Sequence, residues 1–187
     1  MADHEILASK PQNLREAVFI ALDEMLKALA ECFWDLSREQ LWFEGPQNRN
    51  RIGSMLLHVQ QNIDCHACYF QIGQWALDYD ERFDFYGKPP LRFQPEEELP
   101  GPEELRSRHE TLRAQVFAGL RAAAADQDLH TPRYAEKVYW WQQHKRRSID
   151  AYLRVVGHAQ AHIRQIWLAR GRMGACGDDT WPVQFYH

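Results

Sequence analysis

Two histidines, His158 and His162, stand four residues apart in Gly157-His158-Ala159-Gln160-Ala161-His162-Ile163-Arg164-Gln165-Ile166, a run free of proline. On a helix this spacing stacks both imidazoles on one face, one turn apart. Neutral imidazole ligates zinc, nickel, copper and iron. The pair alone is a weak signal, because such spacings arise readily by chance. It gains weight from His58, far upstream in Arg51-Ile52-Gly53-Ser54-Met55-Leu56-Leu57-His58-Val59, a similar apolar setting.

These two stretches carry a family resemblance. Ile-Gly-x-x-Leu-Leu-His-Val, preceded by Leu36-Ser37-Arg38-Glu39-Gln40-Leu41, resembles the second-helix region of the DinB-like superfamily. His-Ala-Gln-Ala-His-Ile-Arg-Gln-Ile-Trp-Leu-Ala-Arg-Gly resembles its last-helix motif. The resemblance covers roughly residues 12 to 173. One departure stands out: the family often has Arg-Gly between the final histidine and Gln-Ile, where this chain has Ile163-Arg164. The histidines themselves are in place. The resemblance implies a bundle whose second and third helices run the same way, and thiol-dependent chemistry at the metal.

The positioning elements follow from periodicity. Leu14, Val18, Ala21, Leu22, Met25, Leu29 and Cys32 predict a first helix, with Ser9 as N-cap and Gln12 completing a capping box. Ser37 and Gln40 repeat that spacing and predict one short further turn. A second helix is expected from Arg51, capped by Asn50, with Ile52, Met55, Val59, Ile63, His66 and Phe70 inward. His58 lies about 60° from Met55, at the stripe edge. His66 reads as a core histidine, too far along the axis to share an ion with His58. Cys65-His66-Ala67-Cys68 spells C-x-x-C, but it falls inside this helix. With Cys32 and Cys176 isolated, the four cysteines read as free thiols.

Pro102 opens a third helix, with Glu103 and Glu104 at its positive end. Leu105, His109, Leu112, Val116 and Leu120 form its stripe, and the segment from Asp126 to Pro132 should end it. The last helix is expected from Ser148 to Arg170, with Ile149, Tyr152, Val156, Ile163 and Trp167 inward and Gly171 as C-cap. Residues 78 to 101 read as a long irregular connection. The aromatic stretch from Tyr134 to His144 reads as a pocket wall, a core patch or a dimer patch.

The expected fold is therefore all-α: one domain over residues 1–187, a four-helix bundle with a long crossover connection between helices 2 and 3. A net charge of −4 argues against a dedicated nucleic-acid binder. No apolar run reaches the ~18 residues of a membrane span. The N-terminus lacks the basic and apolar regions of a signal peptide, so a cytoplasmic location is expected.

His58, His158 and His162 are the expected ligands of one divalent ion, zinc, nickel or iron. Three protein ligands with an open position describe a catalytic site, whereas structural zinc is closed by four. Two functions follow. One is a metal-dependent enzyme, a thiol S-transferase or isomerase of the detoxification type, acting on a small molecule with a low-molecular-weight thiol. The other is a non-catalytic metal-binding or stress-response protein whose bundle serves to form a homodimer.

Overall fold

Asn13, rather than Ser9, starts the first helix. The computed structural model describes residues 10–44, 51–77, 99–122, 126–130 and 147–175, and these are mostly helical, with no β-strand among them. Helix α1 spans Leu14–Glu31. The Asn13 side chain accepts the Glu16 backbone N–H at 2.9 Å, and the Glu16 carboxylate accepts the Gln12 N–H at 2.7 Å. Proline at 11 disfavours helical backbone at residue 10, so the cap moves beyond it to the next side chain able to accept.

Short helix α2, Arg38–Leu41, carries the expected reciprocal cap between Ser37 and Gln40. Helix α3, Ile52–Ile63, has Arg51 at its N-cap position in place of the expected Asn50, with no side-chain cap bond. Packing holds this end instead. The Trp42 ring lies against Gly53, so close that an added Cβ would sit 2.6 Å from its ring carbons. The indole nitrogen donates to Pro100 O at 3.0 Å. Gly53→Ala should therefore destabilise the fold by about 1–3 kcal/mol through overpacking. Urea unfolding of the variant checks this, and an unchanged midpoint would show that Trp42 yields freely.

Beyond Ile63 the helix widens into a π-helical segment, Asp64–Tyr69, before helix α4, Phe70–Ile72. Sequence periodicity gave no sign of it. The wider turn is stabilised from within: Gln71 donates to His66 O at 3.1 Å. The Asp64 carboxylate accepts the N–H groups of Ala76 and Leu77 at 2.7 and 2.9 Å, folding the following chain back. Gly73 ends α4 at φ 73°, a left-handed conformation suited to glycine.

Helix α5 spans Pro102–Ala122 with all five expected stripe residues buried. Asp126–His130, expected to terminate it, instead forms helix α6. Leu129 is buried there, and α6 packs on α1 and on helix α7, Ser148–Arg172. Helix α7 continues through Gly171, the expected cap, and the left-handed residue is Gly174 at φ 66°. The N–H groups of Met173 and Ala175 satisfy Ala169 O and Arg170 O, which carries the helix past Gly171.

Helix α1 packs on α5 and α7, and α3 packs on the same two. Leu22, Leu26, Leu56, Val59, Leu112, Val116, Val155 and Ile166 meet between them without solvent. The inward face of α7 is rotated from the expected stripe: Val156 and Trp167 are partly buried, and Val155, Ala159 and Ile166 take the centre. Cross-helix ties set directions. Asp23 pairs with Arg113, and Phe19 stacks on Phe117 with centroids 4.5 Å apart. Gln60 donates to Leu105 O at 2.9 Å, while Gly119 nears Ala67 and Ile72. Thus α3 and α5 run the same way, and α5 opposes α1. Residues 78–98, the aromatic stretch 134–144 and the tail with Cys176 lie outside the described residues.

Candidate metal centre

The rotation of α7 matters because it turns His158 and His162 toward α3. Val155, Ala159 and Ile166 are buried as the helix's centre line, and the two histidines flank it, half-buried. On α3, Leu57 and Val59 are fully buried while His58 between them remains half-buried. Each imidazole is thus held at the edge of an apolar seam, where the packing of two helices fixes its height and direction.

The three rings converge. One nitrogen from each of His58, His158 and His162 lies within 4.8 Å of the other two, so the group could hold a metal ion. His58 Nε2 and His158 Nε2 are 3.0 Å apart. The ring centroids are separated by 4.9 Å for His58 and His158, 5.0 Å for His58 and His162, and 4.6 Å for His158 and His162. Tetrahedral bonds of about 2.0–2.1 Å would place ligand nitrogens about 3.3 Å apart. The 3.0 Å pair lies just below that value, and the 4.8 Å limit on the group lies above it.

The electrostatics suit a cation that needs neutral ligands. Burial pushes His58 down to about 4, with His162 adding to the effect. His158 is likewise pushed to about 4, by burial first and then by His162, His58 and Arg154. His162 is lowered by burial, against a hydrogen bond with Gln165 that acts the other way. All three are therefore unprotonated at neutral pH. His162 Nδ1 is buried without a hydrogen-bond partner, a polar atom whose burial would be repaid by coordination or by an ordered water. The donor set, three imidazole nitrogens, suits zinc, nickel or iron. Among the described residues no Cys, Asp or Glu joins the cluster.

The shifts give a pH prediction. The folded values of His58 and His158 lie below the unfolded value of 6.5. Protonation therefore favours the unfolded, metal-free chain. The histidines' contribution to stability is complete above 6.5 and is lost as pH falls toward 4. Metal retained after dialysis should hold through pH 5.5 and drop only near 4. Half-loss at 6.5, as for free imidazole, would show that burial does not protect these ligands.

The other sequence candidates separate from this centre. His66 is buried within the π-helical segment and does not join the cluster. His109 is buried on α5, edge-on to Phe33 and Trp34 at 5.9 and 6.0 Å, and burial holds it at about 4. It is a neutral core histidine. Cys32, Cys65 and Cys68 are free and buried. Burial pushes the Cys65 thiol up to about 12, and the Cys68 thiol is raised further by burial and by Asp64. Thiols held in this state are poor nucleophiles and poor ligands. Sequence reasoning overlooked Arg154 and Gln165, although both lie at helical spacing from the histidines, Arg154 at i−4 from His158 and Gln165 at i+3 from His162. No helix among the described residues is long and apolar enough to cross a membrane. No family model matches the chain, and no curated protein or solved structure matches it.

Proposed function

We propose that the chain is a divalent-metal-binding protein of the DinB-like kind, built as a four-helix bundle from α1, α3, α5 and α7 with a crossover connection between α3 and α5. The observation that carries this reading is the convergence of three neutral imidazoles from α3 and α7 to within 4.8 Å. Support for the bundle comes from α1 and α3 each packing on both α5 and α7. A bound divalent ion supplies a Lewis acid and a direct binding position for a thiolate. The chain's own contribution is to keep the ligands unprotonated and to hold them on two packed helices. The reaction class this favours is transfer of a low-molecular-weight thiol to an electrophilic small molecule, in the cytoplasm. A second reading, a non-catalytic metal-binding protein that dimerises, draws on the exposed Leu153 and Leu168 of α7.

Metal analysis of untagged protein tests the first step, followed by a thiol-consumption screen with the metal found. One ion per chain with thiol consumption supports the enzyme. One ion without consumption across a panel of electrophiles favours the second reading. Metal content far below one ion per chain, even after incubation with zinc, nickel and ferrous iron, rejects both.

A further inference from the structure

One buried carboxyl group fastens the segment after α4 to the π-helical turn. Asp64 opens that turn and is 2 % exposed. Its two oxygens accept the N–H groups of Ala76 and Leu77, one each, at 2.7 and 2.9 Å. In between, the chain reverses at Gly73, whose φ of 73° suits glycine and whose N–H donates to Tyr69 O at 2.7 Å. Trp75 stacks on Tyr69, with centroids 4.6 Å apart and planes at 16°. Ala76 and Leu77 rest against the core but stay partly exposed. Residues 73–77 thus form a short strap, hinged at a glycine and closed on Asp64.

Opposing demands meet at this carboxyl. Two N–H donors favour the ionised form, whereas burial favours the neutral acid. The π-helical segment packs on α3, α5 and α7. From α5, Arg108 acts on Asp64, and its guanidinium donates to Gln60 Oε1 of α3 at 3.3 Å. From the segment itself come the thiols of Cys65 and Cys68, and burial keeps both neutral. From α7, Arg154 acts on Cys65. Burial prevails: it pushes Asp64 up to about 6, against the pull of the two N–H groups, Arg108 and the Cys68 thiol.

We propose that Asp64 is a proton-sensitive clasp, so that acid keeps the strap Gly73–Leu77 fastened to the π-helical turn and ionisation of the carboxyl loosens it. The sign follows from the two forms of the strap. Lifting residues 76 and 77 opens both carboxyl oxygens to water. Water replaces the lost N–H donors and ends the burial, so the carboxyl returns toward its ordinary value of 3.8. The closed form therefore binds a proton more tightly than the open form, and protons favour the form that binds them better. As pH rises through 6 the closed strap holds a buried charge that opening relieves. The clasp requires no metal.

Hydrogen exchange at the Ala76 and Leu77 N–H groups tests it, measured by NMR on the full-length protein and corrected for the intrinsic pH dependence of exchange. With a closed value of about 6 and an open value of 3.8, the opening constant should rise about tenfold between pH 5 and pH 7.5. Asp64→Asn keeps the shape of the side chain and removes its titration, so the rise should vanish in that variant. Equal opening at the two pH values in the parent protein would overturn the proposal, as would a rise that survives Asp64→Asn. Should Asp64→Asn fail to fold, the carbon-13 shift of the Asp64 carboxyl in the parent protein decides. A midpoint near 6 supports the clasp, and a midpoint near 3.8 overturns it.

Discussion

Replacing His58 with alanine should weaken metal retention by at least about 100-fold, since even the loss of an outer-sphere partner costs 10–100-fold. His158→Ala and His162→Ala should do the same. The reason is geometric: the ligand nitrogens come from two helices, so removing His58 leaves a pair on one helix and frees the ion from α3. His109→Ala provides the control. That ring is buried against Phe33 and Trp34, and it is not part of the cluster. Its loss should lower stability by leaving a cavity while metal binding persists. Equilibrium dialysis against a competing chelator measures both. If His58→Ala holds metal as tightly as the parent, the three-histidine centre is wrong.

Asp35→Ala should destabilise the protein by about 1–3 kcal/mol, between the loss of an exposed ion pair and of a buried one. Arg170 is the buried member, with its side chain 4 % exposed against 65 % for Asp35. It donates to both carboxylate oxygens at 2.6 and 2.7 Å, and to Cys32 O and Ala175 O. Removing the carboxylate strands the guanidinium in the interior with carbonyl partners only. Those two bonds, and solvent reaching Asp35, keep the loss below that for a fully buried pair. The ends of α1 and α7 meet here, so the pair ties the helix that carries the histidines to its neighbour. The Arg170 hydrogen bonds hold the Asp35 carboxyl below its usual range. The stabilisation is therefore present above the ordinary carboxylate value of 3.8 and is lost as pH falls below it. Urea unfolding of Asp35→Ala at neutral pH checks the magnitude, and a loss under about 1 kcal/mol would show the pair to be no better than a surface one.

The three-histidine cluster and the salt bridge share a design. In each, a polar group sits at the margin of an apolar seam and is fixed by packing on one side only. For His58 and His158 that burial lowers basicity, which keeps the ligands available to a cation. For Arg170 burial makes the carboxylate partner obligatory. Trp167 covers its guanidinium at 4.7 Å, adding a cation–π contact at the same end of α7.

Local chemistry in the sequence determined much of this protein. Helical periodicity located α1, α3, α5 and α7 because apolar residues at turns of 3.6 must share a buried face. Ser37 with Gln40, and Pro102 with its following glutamates, marked helix starts through bonds made within a few residues. The i, i+4 spacing of His158 and His162 put two ligands on one face, and the stripe edge put His58 where a partner helix could reach it. The start at Asn13 and the run through Gly171 were also local, set by Pro11 with the Asn13 side chain and by the bonds of Met173 and Ala175, but periodicity does not read them. Tertiary structure decided the rest. Helix α6 exists because Leu129 finds a buried place against α1 and α7. The π-helical segment, the rotation of α7 by which His158 and His162 meet His58, and the pairing of Arg170 with Asp35 were not legible in sequence. The last two depend on contacts between residues far apart in the chain, 100 positions for His58 and His158 and 135 for Asp35 and Arg170; the π-helical segment is held by bonds within about one turn and to the chain just after it, which periodicity does not register. Periodicity specifies which face of a helix is apolar, and only the packing of helices against one another specifies what that face meets.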